Sequence, residues 1–180
     1  MKISIDTIRS LDASKTYFEV EMRGLNPSRK EKTKMTQFEA LVSELAAETG
    51  LPLEVDARDA CSLETDGLVI TLQYRRERDD VALFAPVTEP EAELPPETLR
   101  KALALACNGE GTRGAYLGLF DGTLLLSTFM PLEGLTAETL GGRILAFADT
   151  AHAVRDSLDA SAAEPADGVA SGETSLFLQA

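Results

Sequence analysis

The sequence predicts an α+β chain, helices packed on a twisted antiparallel sheet, in the order α-β-β-β-α-β-β-α. Three observations predict it. The stretch Leu68–Val87 reads apolar run, charged turn, apolar run, which is a hairpin. Two further apolar runs flank Asp121-Gly122, a dipeptide that favours the positive φ of a tight hairpin turn. Around them lie three segments with apolar residues at helical spacing.

In the central hairpin, Leu68, Ile70, Leu72 and Tyr74 alternate with Val69, Thr71 and Gln73. Val81, Leu83, Ala85 and Val87 repeat the pattern after the turn Arg75–Asp80. One face is fully apolar. The other is only half polar, because Val69, Ala82 and Phe84 sit on it. A large aromatic on the wetter face points to a partner that covers part of the sheet.

The first helix is predicted from Thr36, since Thr36 and Glu39 have the N-cap to N3 spacing of a capping box. Phe38, Leu41, Val42 and Leu45 then form one stripe, and Gly50 closes the helix. Leu51–Val55 and Cys61–Glu64 read as short extended pieces, with Asp66-Gly67 turning into the hairpin. After Val87 comes the acidic, proline-punctuated loop TEPEAELPPE, and Pro96 fits a first helical position. The predicted helix Glu97–Asn108 is apolar on two sides: Leu99, Leu103 and Ala106 on one, Ala102 and Leu105 on the other. A helix that covers only its own sheet needs one stripe, so this one predicts a homodimer interface. Ala115–Phe120 and Thr123–Met130 form the second hairpin, and Pro131 ends it. The last helix is predicted from Thr136, with Leu135 and Leu140 as a hydrophobic staple. Leu140, Ile144, Phe147, Ala151, Val154 and Leu158 give it a single long stripe.

Charge divides the chain. Residues 1–35 hold eight Lys and Arg against five Asp and Glu; the rest hold nine against twenty-five. The change of sign near Met35 predicts a basic N-terminal extension, 1–34, joined to an acidic domain, 35–158. Within the extension, Lys2–Ile8 and Thr16–Met22 have weak strand character, giving a small hairpin, a loose segment, or a strand added to a sheet edge. From Asp159 the composition is that of a disordered tail, with an apolar Leu176-Phe177-Leu178 tip.

A net charge of −13 argues against nucleic acid as a partner. No apolar run approaches the ~20 residues of a membrane span, and no leader pattern opens the chain. Cys61 and Cys107 lack metal-ligand spacing and read as buried thiols of a reducing compartment. Gly109, Gly111 and Gly114 match G-x-G-x-x-G, but they leave a helix and open a strand, the wrong order for a phosphate site. They read as a helix stop and a turn. His152, the lone histidine, with Asp149 and Cys107 is the only nominal catalytic set, and alanines 148, 151 and 153 surround it. The plain expectation is a surface histidine and a buried cysteine, with no enzyme and no cofactor.

This order of elements resembles the class I type III secretion chaperones, the group that includes the Tir chaperones. The likeness runs over about residues 35–158, through MTQFEALVSELAAETGLPLEVD, CSLETDGLVITLQY, LFAPV, LPPETLRKALALACN and GAYLGLFDGTLLLSTFMPLEGL. The resemblance implies a bacterial cytoplasmic homodimer built through the second helix, without ATPase activity. It implies that the N-terminal segment of a secreted effector is held in extended form on apolar grooves and kept export-competent. The residues expected to line those grooves are Phe38 and Leu45 beside the first helix, Val69 and Phe84 on the less-covered hairpin face, and Phe129 on the last strand. The dimer face is expected at Leu99, Ala102, Leu103, Leu105 and Ala106. Two rival readings are a regulatory module binding a folded partner and a small-molecule carrier using the sheet as a cavity wall.

Overall fold

Period-2 runs fix the sheet. A computed structural model describes residues 8–10, 29–89, 94–107 and 109–162. In chain order the elements are β1 (Ile8–Ser10), α1 (Arg29–Thr49), β2 (Ala60–Thr65), β3 (Leu68–Arg75), β4 (Asp80–Pro86), α2 (Pro96–Ala106), β5 (Tyr116–Phe120), β6 (Thr123–Pro131) and α3 (Ala137–Ala162). The six strands form one antiparallel sheet in the order β1-β2-β3-β4-β6-β5. The turns Asp66-Gly67 and Asp121-Gly122 each place both residues at positive φ, the geometry that matches the twist of the flanking strands.

One face of this sheet is dry. Cys61 and Leu63 of β2, Leu68, Ile70, Leu72 and Tyr74 of β3, and Val81, Leu83 and Ala85 of β4 are buried, with Leu124, Leu126 and Met130 of β6. All three helices join that same core. Phe38, Leu41, Val42 and Leu45 come from α1, Ala102 from α2, and Leu140, Ile144, Phe147, Ala151, Val154 and Leu158 from α3. The Phe38 ring stacks on Tyr74 at 5.9 Å. The predicted α3 stripe is therefore the core stripe, residue for residue. Its N-terminus is capped by the Thr136 hydroxyl, which accepts from the Thr139 N–H at 3.2 Å.

Several boundaries differ from expectation. Helix α1 begins at Arg29 and runs without a break through Met35. The capping-box spacing at Thr36 is therefore overridden: the preceding RKEKTK run consists largely of good helix formers and continues the helix backwards. Residues 51–55 form no strand. Helix α2 ends at Ala106, and Asn108 lies outside the described residues. Helix α3 continues past Asp159 to Ala162; the tail from residue 163 and its Leu176-Phe177-Leu178 tip lie outside. Of the two expected N-terminal strands, Ile8 begins β1, while 2–7 and 16–22 lie outside.

Limited proteolysis with a broad-specificity protease is expected to leave a stable fragment spanning roughly residues 29–162. Mass spectrometry of the trimmed chain checks it; a fragment starting at or after residue 35 would show that the first turns of α1 are not held.

Candidate protein-binding surface

Every helix contributes to one core on one side of the sheet, and among the described residues no helix covers the opposite face. The strand register builds it row by row. Ser62, Thr71, Phe84, Ser127 and Tyr116 stand opposite one another across β2, β3, β4, β6 and β5. The next row holds Ala60, Gln73, Ala82 and Phe129. On the other side lie Glu64 opposite Val69, and Pro86 opposite Leu125 opposite Gly118. Phe120 completes the face, opposite Thr123.

Aromatic rings dominate it. Phe129 meets Phe84 edge-on at 6.3 Å and Tyr116 at 5.5 Å. The Arg75 guanidinium lies 3.8 Å from the centre of the Phe129 ring. Arg75 also makes a two-pronged ion pair with Asp80, its cross-strand neighbour, with Nε at 2.6 Å and Nη2 at 2.5 Å from the carboxylate oxygens. The pair holds the guanidinium flat, so that it stacks on the ring as a cation–π partner. Tyr116 is 64% exposed and Phe129 36%. Between Tyr116 and Phe120, Gly118 leaves a gap in the row beside Leu125, and a side chain added there would meet nothing within 4 Å. Rings around a notch form a surface with no acid-base pair at its centre. What it can do is hold apolar side chains.

The expected site residues divide. Phe84 and Phe129 are brought together, and Val69 shares their face, half-buried on β3. Phe38 and Leu45 are not on that face: at 0% and 2% exposure they are core residues of the helical side. The physical reason is that α1 packs its stripe into the common core with α3 and the inner face of the sheet. Leu45 does line a shallow apolar crevice between α1, α3 and β2, with Leu51, Leu53, Leu63 and Ile144. Sequence reading missed Tyr116, Gly118 and Phe120, although their period-2 spacing places all three on one face, and it missed Arg75 as the support for Phe129.

On α2 the two expected apolar sides have different fates. The side of Ala102 and Leu105 packs on the core, and of the other side Leu99 does so too, so the helix's own seat takes residues from both. Leu103 is 72% exposed and Ala106 half-buried. Leu119, on the adjoining β5, is 57% exposed.

The nominal catalytic set is also redistributed. Cys107 is exposed, not buried, because it sits just beyond the last turn of α2. His152 is half-buried rather than on the surface, and its Nε2 has no hydrogen-bond partner among the described residues. Cys61 is buried, and burial pushes its thiol up to about 11. The three glycines of the G-x-G-x-x-G string make a turn: Gly109 and Gly114 take positive φ, and Gly111 lies against Leu105, where a Cβ would come within 2.7 Å. Among the described residues no group of three or more His, Cys, Asp or Glu could hold a metal ion, and no helix is long and apolar enough to cross a membrane.

The family model of the Tir chaperone protein (CesT) family matches residues 40–155. The chain belongs to that family. The CesT-family fold is also seen in solved structures similar to this chain. The structure of the HopA1–SchA chaperone–effector complex contains a chain 22% identical, aligned over 69% of this chain and 97% of that one, with a TM-score of 0.58. The crystal structure of the ExsC–ExsE complex contains another, 22% identical over 68% and 93% of the two chains, at 0.59. Among curated proteins none matches the chain. The α+β order expected from sequence is thus the order of this CesT-family chain, with β1 added at one edge.

The two thiols give a direct check on this placement. At pH 8 Cys107 is expected to react with a thiol reagent while Cys61 stays unlabelled until the chain unfolds, since only about a thousandth of it is thiolate. A folded-state pKa raised above the unfolded value also means that the contribution of Cys61 to stability is intact below about 9 and is lost as pH rises towards about 11. Fast labelling of both cysteines in the native chain would contradict the burial of β2.

Proposed function

We propose that this CesT-family chain is a type III secretion chaperone. It holds the N-terminal segment of a cognate effector in extended form and keeps it soluble for export, without ATP, in the bacterial cytoplasm. The observation that carries the reading is the apolar outer face, where Phe84, Phe129 and Tyr116 form one ring cluster and Gly118, next along β5 on the same face, leaves open space between Tyr116 and Phe120. An extended segment presents alternate side chains at the spacing of such pockets. A folded partner would require a broader flat contact. The HopA1–SchA complex named above pairs chaperone with effector, which supports the same reading.

Burying one client phenylalanine or leucine in the notch contributes roughly 1.5–3 kcal/mol, about ten- to a hundredfold in affinity. Two substitutions test it with a client recovered from the native host. Phe84→Asp is expected to weaken binding by that factor. Gly118→Val fills the notch at a strand position with open space and ordinary φ, so it should weaken binding while the melting temperature holds or rises. Unchanged affinity in Gly118→Val, measured by titration calorimetry, would remove this face from client binding.

The chain is further proposed to be a homodimer, with Leu103 on α2 and Leu119 on β5 as the apolar centre of the interface. Leu103→Glu introduces a charge at an exposed position and is expected to give monomers that melt as the parent does. Light scattering of the unmutated chain at micromolar concentration decides it: a monomer there refutes the dimer.

A further inference from the structure

We propose that Arg75 is a specificity-determining residue of the outer face, donating the uncommitted end of its guanidinium to an oxygen acceptor on the bound segment. The inference rests on the client-binding reading above and names the polar contact that accompanies the apolar ones. Among the described strands β2 to β6, Arg75 is the only cation on that face; the other outward residues are neutral or, at Glu64 and Asp80, acidic. Its position is set three times over. The Arg75 carbonyl accepts from the Arg78 N–H at 3.1 Å and the Asp79 N–H at 2.9 Å, which closes the β3–β4 turn. Asp80, directly across the ladder, accepts from Nε at 2.6 Å and from Nη2 at 2.5 Å. The centre of the Phe129 ring lies 3.8 Å from the guanidinium carbon.

One nitrogen is left over. Among the described residues no acceptor takes the two N–H groups of Nη1, and a fork made through Nε and Nη2 turns Nη1 away from Asp80. The Arg75 side chain keeps 23% of its exposure, against 16% for Asp80. The hydroxyls of the face are already engaged: Ser62 and Thr71 share a hydrogen bond at 3.0 Å, and Ser127 donates to the Tyr116 carbonyl at 3.4 Å. A segment that seats an apolar side chain on Tyr116 and Phe129 therefore meets, beside those rings, a donor that is already immobilised. A donor fixed in advance loses little side-chain entropy on binding, which is the advantage of the planar guanidinium over a lysine. The acceptor is a main-chain carbonyl of the segment or a carboxylate next to its apolar residue. Asp80 close by favours the neutral carbonyl of the two.

The probes are two capped hexapeptides, Ser-Leu-Ser-Phe-Ala-Ser and Ser-Leu-Ser-Phe-Asp-Ser, titrated into the full chain and followed by NMR. Arg75→Lys keeps a cation facing Asp80 and loses the fork. It is expected to weaken binding about two- to tenfold, the worth of one net hydrogen bond. Loss with both peptides assigns the acceptor to the main chain; loss with the aspartate peptide alone assigns it to the carboxylate. In the unmutated chain the guanidinium protons of Arg75 should exchange more slowly with water once peptide is added. A side chain that only props the Phe129 ring would show no such response. Equal affinity for Arg75→Lys and the unmutated chain, or guanidinium protons that do not respond, overturns the inference. Gly118→Val separates that failure from failure of the face. A peptide weakened by Gly118→Val and indifferent to Arg75→Lys keeps the face and overturns the Arg75 contact. A peptide indifferent to both, or not bound at millimolar concentration, removes the face and the contact with it.

Discussion

A sheet has two faces, and in this chain the helices cover only one of them. The core forms where Phe38, Ala102, Leu140 and Phe147 meet Leu63, Ile70, Leu83 and Leu126. Burial of that set holds the strands in register, because a one-residue slip would turn every inward side chain outward. The same burial leaves Phe84, Phe129 and Tyr116 on the other side, where among the described residues no helix covers them. Arg75 and Asp80 partly offset the exposure by pinning one end of the cluster, stacking a guanidinium on Phe129 where a bare ring would meet water. The apolar outer face is thus a consequence of the one-sided core, and its residues need not be chemically special.

The two edges of the sheet are treated differently. At the β2 end, β1 supplies a short cap, and Asp56 closes the far backbone groups of Ala60. Near the same end Asp59, at positive φ, pairs with Arg76 across the β3–β4 turn, with Nη2 at 2.7 Å. At the β5 end, Tyr116, Leu119 and Phe120 lie on a bare, apolar edge strand. A long apolar edge without charge invites pairing or packing with another chain. On the proposed reading both partners meet β5 from opposite sides, the dimer at Leu119 on the helical side beside Leu103 and the client at Tyr116 and Phe120 on the outer face.

Most of the core was legible in the sequence, because two simple periods encode it. The α3 stripe from Leu140 to Leu158 and the inward residues of β3 and β4 follow from spacing alone. So did the Asp66-Gly67 and Asp121-Gly122 turns, whose chemistry is local. The start of α1 was not legible, because Thr36 and Glu39 imitate a cap inside a helix that good helix formers carry on from Arg29. Nor was the role of Phe38 and Leu45: their spacing says that they share a face, and only packing says that the face is the core. The same limit applies to α2, where Leu99, Ala102 and Leu105 turn inward and Leu103 does not. Phe84 was singled out as a candidate because an aromatic on the wet side of a strand breaks the alternation, and the structure sets Phe129 beside it. Tyr116 and Phe120 break nothing in their own strand, and only the register across β6 brings them to the same surface.

That distinction bears on how such a surface can recognise anything. A catalytic centre must fix charges and protons, and would leave titratable residues in close company. The outer face has instead a notch at Gly118, rings on either side, a guanidinium at one end and a row of small polar residues, Ser62, Thr71 and Ser127, crossing it. Selectivity on such a face comes from which positions of an extended segment are large and apolar, and from their spacing along it. Sequence identity of the segment matters little beyond that pattern. On the proposed reading the chain's net charge of −13 adds a second filter, since an acidic segment is repelled and a basic one attracted before apolar residues make contact. On that reading shape selects the spacing and charge selects the approach.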